Sequence, residues 1–348
     1  MSSREKYNKI LPSIYPVGVY TEGINMNAIN NFINRFFGLI LLLAALSGLF
    51  VPTLNADTSI IIIIALAVII FTSFFNVELN RNLVTEDLLP VSKYLAIRFV
   101  ILPVVLYYII VPVSPFYAAT FLLILLLPAA VSSPAFTAMF NGNVSLSLKI
   151  LIFSSFLSIL TIPMLCSWLL SKDVDIDSRH MFYTMVYTIV IPFIVHLPLR
   201  KLKGLKRVLI TNSPLITALG LMIVFIAATS KNRSIIFDHP LKVLIYTLVS
   251  VISYLLLYLF GYGVMSRQDK TRRIAYSVSS GANNIGLGVT ITALFFPGEV
   301  NVFFIIAQLS WIFMLIPMRY FYKRGTRDQG QGTRKESGGD GGRGEDKK

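Results

Sequence analysis

Two short polar segments interrupt long uncharged stretches of this chain, and their residue types could bind an ion or a small polar ligand. The first covers Ser132–Thr137 and reads Ser-Ser-Pro-Ala-Phe-Thr. The second covers Ser279–Gly288 and contains two serines, two adjacent asparagines and three glycines. Hydroxyl and amide oxygens can hold cations or hydrogen-bond a substrate. Buried amides are costly unless they are hydrogen-bonded, so a plain lipid-facing helix does not explain these segments.

The same chain lacks the residues that an intramembrane enzyme would need. No Asp or Glu falls within the uncharged stretches, and His180, His196 and His239 are scattered at their ends. Acid–base or metal-assisted catalysis would need carboxylates or clustered histidines there. No Gly-Lys-Ser/Thr follows the glycines, which argues against a nucleotide site. The single cysteine, Cys166, excludes an internal disulfide and a cysteine metal cluster. We expect no enzyme and no cofactor.

The composition indicates a polytopic membrane protein. Hydrophobic residues make up 55% of the 348 residues and charged residues 14%, and the mean hydropathy is +0.71. The net charge of +14 comes from short basic clusters between apolar stretches, a distribution typical of membrane topology rather than nucleic-acid binding. The expected partner is the lipid bilayer of the cell (plasma) membrane, with no nucleic acid.

Uncharged stretches follow one another along the chain. They are Phe36–Ala56, Thr58–Val77, Phe99–Leu148, Ile150–Ser171, Met181–Leu199, Val208–Ser230, Val243–Ser266, Ile274–Gly298 and Val300–Met318. The third is too long for one span and is punctuated by Pro112 and Pro115, which break helices. The sequence therefore predicts ten membrane spans.

The loop charges predict the orientation. With the N-terminus inside, the predicted outer loops hold few of the 31 basic residues: Lys172, Arg179, Lys231, Arg233 and Lys242. An excess of Lys and Arg marks the cytoplasmic side, so both termini are expected there. Residues 1–35 are expected to be a cytoplasmic or interfacial segment, and residues 323–348 a disordered cytoplasmic tail. Asp87 falls in an inner loop and is expected to be solvated.

Ten spans divide into two repeats of five, residues 36–171 and residues 181–322, the second inverted in the membrane. The serine pair of each polar segment is a faint trace of this repeat. Paired interruptions in corresponding places indicate the binding site of a secondary transporter. The sequence predicts that helices four and nine are broken near Ser133–Ala135 and Ser280–Asn284, and that the breaks face each other. The fold class is an all-α membrane protein.

Two segments resemble the bile acid:sodium symporter family, over roughly Phe36–Tyr322. They are Gly142–Ser147, which reads Gly-Asn-Val-Ser-Leu-Ser, and Asn284–Leu287, which reads Asn-Ile-Gly-Leu. The resemblance implies crossed broken helices four and nine, a panel domain from spans 1, 2, 6 and 7, and a core domain from spans 3–5 and 8–10. It also implies that a small organic anion passes between these domains by alternating access.

The chain departs from the sodium-binding pattern of that family. Ser279, Pro134 and Leu151 stand where sodium-dependent members have a glutamate, an asparagine and a threonine, and Arg98 falls where they have a glutamine. One serine ligand persists as Ser147. Hard cations need several oxygen ligands, so the resemblance makes a sodium site doubtful.

These arguments define the candidate residues for substrate or ion binding, which are Arg98, Ser132, Ser133, Thr137, Ser147, Ser279, Ser280, Asn283 and Asn284. Alternatively, the asparagines and serines cap the half-helices and bond them together. Arg98 and Lys149 either supply the charge that sodium would bring or extend to the cytoplasmic headgroups. The expected function is secondary transport. The alternative is a non-transporting receptor or scaffold on a degenerate transporter fold.

Overall fold

The regular secondary structure of the described residues is helical. The computed structural model describes residues 26–52, 58–76, 87–170 and 177–336, and from residue 324 onward it describes only the backbone. In chain order the helices are α1 (Met26–Gly48), α2 (Thr58–Phe75), α3 (Leu88–Ile110), α4 (Pro115–Leu126), α5 (Ser133–Met139), α6 (Val144–Leu170), α7 (Ser178–Leu199), α8 (Lys203–Lys231), α9 (Arg233–Asp238), α10 (Pro240–Val264), α11 (Lys270–Gly281), α12 (Ile285–Phe295) and α13 (Gly298–Glu336).

Six of these helices, α3, α6, α7, α8, α10 and α13, are long and apolar enough to cross a membrane. Shorter apolar helices lie in α1, α2, α4 and α12. Each predicted span contains one of these ten helices, which makes the chain a multi-pass membrane protein. The number of crossings, the inverted repeat and the orientation stay predictions.

The ends of the chain differ from the expected boundaries where the structure describes them. The first helix begins at Met26, before the first uncharged stretch. The last helix continues to Glu336, although composition predicts disorder beyond residue 323. Seven of the 13 residues from 324 to 336 are Arg, Gln, Lys or Glu, which have high helix propensity and can continue a helix that packing has started, although Gly325, Gly330 and Gly332 oppose it. Residues 1–25 and 337–348 lie outside the described residues.

Two long helices contain a π-helical turn, at Ile97–Ile101 in α3 and at Val186–Val190 in α7. Pro103 and Pro192 follow these turns two residues later. Proline donates no backbone hydrogen bond, and its ring meets the carbonyl four residues back, so regular α-helical bonding fails there. A π turn accommodates this misfit. In α3 the turn places Arg98 in the protein interior.

The first interruption separates α4 from α5. Leu127 has an extended backbone (ψ 133°) because Pro128 follows it, and a residue before proline avoids the α conformation. The chain becomes helical again at Ser133, with Pro134 in the first turn of α5, where proline is tolerated. The break therefore covers residues 127–132. The predicted position near Ser133–Ala135 is wrong, since those residues begin the second half-helix.

The second interruption lies where the sequence predicts it, between α11 and α12. Gly281 ends α11 against Tyr258 of α10, and a Cβ atom at Gly281 would lie 2.4 Å from the tyrosine ring. Asn284 begins α12 because its side chain accepts a hydrogen bond from the N–H of Leu287. A glycine that permits close approach and an asparagine that caps a helix thus define the two ends of the break.

The helices pack in two groups around the interruptions. α8 packs along α1 and α2, and α2 also contacts α7. α10 packs against α11 and α13, while α6 contacts α3, α4, α5 and α11. The two groups meet where α12 contacts α2 and α8 beside the breaks, where α7 contacts α6, and where α13 contacts α1 and α8. The paired breaks therefore lie next to the boundary between the two groups.

Candidate functional site

The two interruptions bond to each other through the main chain. The N–H of Ala130 donates to the carbonyl of Ala282 at 2.7 Å, and the N–H of Asn284 donates to the carbonyl of Pro128 at 2.8 Å. Ala129 and Asn283 form an isolated antiparallel bridge between these bonds. Freed backbone groups at membrane depth must be satisfied within the protein, and here each break satisfies the other. The prediction that the breaks meet is confirmed.

The two asparagines serve this junction in different ways. Asn283 is buried, and its Nδ2 donates to the carbonyl of Ile124 in the last turn of α4 at 2.9 Å. Its Oδ1 is also buried and has no hydrogen-bond partner among the described residues. Asn284 is half-buried and uses its side-chain oxygen to cap α12 at 3.2 Å. Both side chains therefore stabilise the half-helices, and Asn283 keeps one acceptor that could bind a ligand or a water molecule.

Three of the predicted serines form a buried hydroxyl cluster, which consists of Ser133, Ser147 and Ser279. The Ser147 Oγ lies 3.2 Å from the Ser279 Oγ and 3.5 Å from the Ser133 Oγ, so the cluster joins α5, α6 and α11. Thr137 lies one turn after Ser133, and its buried hydroxyl has no hydrogen-bond partner among the described residues. Ser132 is half-buried and does not cap α5, so it stands apart from the cluster.

Arg98 does not extend to the headgroups, because its side chain is fully buried (0% exposed). Its Nε donates to the hydroxyl of Ser280 at 3.0 Å, and its Nη2 donates to the Ser280 carbonyl at 3.2 Å. Its Nη1 donates to the carbonyl of Leu125 at 2.5 Å. The guanidinium also lies 5.0 Å from the ring centroid of Phe99. Arg98 therefore ties α3 to both broken helices.

A charged group lies where α3, α6 and α11 begin. Asp87 is 3.6 Å from the Nζ of Lys149 and 2.8 Å from the Nη2 of Arg272, and its side chain is 30% exposed, so the carboxylate is partly solvated as expected and also ion-paired. The Lys149 side chain is 2% exposed and extends to this carboxylate rather than to the headgroups. The hydrogen bond from Arg272 is the main reason why the pKa of Asp87 lies below its usual value, although partial burial opposes it. These two ion pairs, which share Asp87, connect α3, α6 and α11 near their N-terminal ends.

A narrow cavity of about 30 Å³ opens beside the paired breaks at the boundary between the helix groups. Its polar lining comes from Ser73 of α2, Ser155 of α6 and Asn284 at the start of α12. Pro128 and Val131 of the first break and Ile189 of the π turn in α7 lie on its wall. The volume suffices for one or two water molecules. A larger ligand would require the two groups to separate.

Sequence reasoning did not identify several polar residues that support this site. Ser154 is fully buried, and its hydroxyl accepts a hydrogen bond from the N–H of Ala129 at 3.1 Å, next to the bridge. Ser73 and Ser155 line the cavity. One signal was present in the sequence: Ser147, Ser154 and Ser158 recur seven and four residues apart, a spacing that places them on one face of a helix.

Interrupted apolar helices that cross within a multi-pass helical protein, with polar side chains at the crossing, are typical of secondary transporters. The comparison with known proteins agrees with this class. The profile of the SBF-like CPA transporter family matches residues 34–311, so the chain belongs to this family of membrane transporters. The resemblance to bile acid:sodium symporters is thereby confirmed at the level of the family.

A curated relative has no assigned activity. The uncharacterized protein YbaS of Bacillus subtilis (strain 168) is 24% identical over 193 residues, which cover 54% of this chain. The match spans 62% of that protein. This match indicates that the two proteins are related, and it gives no information about a substrate.

Proposed function

We propose that this transporter carries a small organic anion across the cell (plasma) membrane by alternating access, through the boundary between the two helix groups. One observation carries the proposal: the N-terminus of α12, with Asn284 as its cap, lies on the cavity between these groups. The first N–H groups of a helix and its dipole give this end a partial positive charge. In transporters with discontinuous helices, such ends point at anionic groups of the substrate.

The charges of the interior favour an anion over a cation. Where the structure describes side chains, the carboxylates all lie at helix ends: Asp87, Asp177, Asp238, Asp269 and Glu299. The buried guanidinium of Arg98 is bonded to the broken helices themselves. None of these described carboxylates belongs to the helix ends at the paired breaks, so a cationic substrate at the junction would meet the positive charge of Arg98, whereas an anion would be attracted.

The packing supports a division into two moving bodies. The group of α1, α2, α7 and α8 corresponds to the panel of spans 1, 2, 6 and 7, and the remaining helices to the core. The cavity between them is too small for an organic anion of several atoms, so transport requires the bodies to shift relative to each other. Membership of a transporter family argues against an enzymatic role.

Uptake of labelled organic anions into proteoliposomes tests this function. The full-length protein should accumulate at least one member of a panel of carboxylates and sulfonates, and the unlabelled compound should compete. Liposomes without protein are the control. Binding of an anion without uptake would instead favour the receptor or scaffold alternative, and uptake restricted to cations would contradict the proposal.

A further inference from the structure

The most unusual buried group of this protein is the side chain of Arg98. It lies inside the bundle with no exposed surface, and its hydrogen bonds go to neutral groups, the Leu125 carbonyl and the hydroxyl and carbonyl of Ser280. A buried charge usually has a charged partner, since its removal from water is costly. No described carboxylate pairs with Arg98, so another kind of negative potential must hold this cation.

That potential comes from the ends of two half-helices. Leu125 lies in the last turn of α4, and Ser280 lies in the last turn of α11. The carbonyls of a last turn have no partner within their own helix, and the helix dipole gives them partial negative charge. Both helices stop at the paired breaks, so their negative ends converge on one point. Arg98 bonds to a carbonyl from each.

In transporters with broken helices, carbonyls of this kind coordinate the coupling Na⁺ or H⁺. In this protein they already have a cation that belongs to the chain. The guanidinium donates to these carbonyls in a fixed orientation, whereas a sodium ion would need about six oxygen ligands around itself. A second cation placed among the same oxygens would be repelled by the guanidinium.

We propose that Arg98 is a permanent substitute for the coupling cation, so that the substrate moves down its own electrochemical gradient without sodium. Its role is positional: it neutralises the convergent helix ends and keeps the paired breaks assembled in every state of the cycle. The part of this inference that concerns substrate movement rests on the proposed function. The occupancy of the carbonyls by Arg98 does not depend on any substrate.

Thermal unfolding of the full-length protein in nanodiscs tests the occupancy without a substrate. The melting temperature of the unmodified protein should be equal in sodium, potassium and choline chloride of the same concentration. Arg98→Gln should lower it by about 5 °C or more, because buried carbonyls lose their charged donor. Arg98→Lys should restore part of the loss. Lys93→Gln, which removes an exposed cation from the same helix, is the matched control and should have little effect.

The proposal is overturned if sodium alone stabilises the unmodified protein in a saturable manner, or if Arg98→Gln melts like the unmodified protein. Should Arg98→Gln fail to fold, the salt dependence of the unmodified protein decides the question by itself. Anion uptake that needs sodium would refute the Arg98 proposal and leave the proposed function intact. Absence of any anion uptake, with unfolding independent of sodium, would refute the function and leave the Arg98 assignment intact.

Discussion

Replacement of Asn284 by aspartate tests whether an anion passes the N-terminus of α12. Asn284 caps this helix through its side-chain oxygen and lines the cavity between the helix groups. Aspartate has almost the same shape and is an equally good N-cap. Its negative charge at a helix N-terminus adds about 0.3–1 kcal/mol of stability. Because Asn284 is only half-buried, the cost of desolvating the new carboxylate offsets this gain in part, and Asn284→Asp should fold about as well as the unmodified protein.

Transport should respond in the opposite direction. A substrate carboxylate in the cavity would lie about 4 Å from the new charge, and at an effective dielectric constant of about 20 the repulsion is about 4 kcal/mol. This corresponds to a loss of uptake of about 1,000-fold. The repulsion exceeds the dipole stabilisation several times, so the fold and the transport activity should separate in this variant.

The assay combines thermal unfolding with initial rates of anion uptake in proteoliposomes. Asn284→Leu, which also removes the cap, should abolish uptake and lower stability by about 1 kcal/mol. Asn141→Asp is the matched control, because Asn141 is exposed and its left-handed backbone (φ 57°) also suits aspartate. Normal uptake by Asn284→Asp would refute the placement of the anion at this helix end.

Three further predictions address topology, charge and packing. In proteoliposomes or cells, cysteines introduced at Ser178 and Lys203 should be labelled from the outside and the inside respectively; labelling from one common side would exclude the predicted orientation. The arginine partner lowers the pKa of Asp87, so the stabilisation from this carboxylate is present at neutral pH and is lost as the pH falls through that lowered pKa. The free energy of unfolding should therefore fall by about 1 kcal/mol across this acidic range, and Asp87→Asn should abolish this pH dependence. Gly281→Ala should destabilise the protein by about 1–3 kcal/mol, because its Cβ would lie 2.4 Å from the ring of Tyr258. The control Gly263→Ala, which has nothing within 4 Å, should not, and equal melting temperatures of the two variants would contradict the close packing of Gly281 against Tyr258.

The sequence predicts the features of this protein that depend on neighbouring residues. The apolar stretches locate the helices, and the glycines and asparagines locate the second break, because helix ends and caps are set by a few adjacent side chains. The serine pair predicts the first break too late, because the break begins just before Pro128, which lies between leucine and alanine in an apolar stretch. Its effect on Leu127 is equally local and could have been read from the sequence.

Other features depend on contacts between distant parts of the chain. The partners of Arg98 on α11 lie 182 residues away, and Arg272 lies 185 residues from Asp87. A charged side chain near a span end can contact a lipid headgroup, a carboxylate or a helix terminus. Only the packing of α3 against α11 determines which of these partners it has. The hydroxyl cluster could be anticipated in its members, since Ser133, Ser147 and Ser279 were all candidates, but its geometry required the folded chain.

The main-chain pairing of the two breaks also constrains how the protein can be assembled. Two of the polar groups freed at the first break, the N–H of Ala130 and the carbonyl of Pro128, find their partners at Ala282 and Asn284, and Asn283 bonds to a carbonyl 159 residues earlier in the chain. At typical synthesis rates the second segment follows the first by roughly 10 to 30 s. During that interval the first broken helix cannot rest in lipid with its backbone satisfied. Until the second half of the chain has entered the membrane, the free backbone groups between α4 and α5 therefore need temporary partners. Water, neighbouring helices or the insertion machinery can supply them.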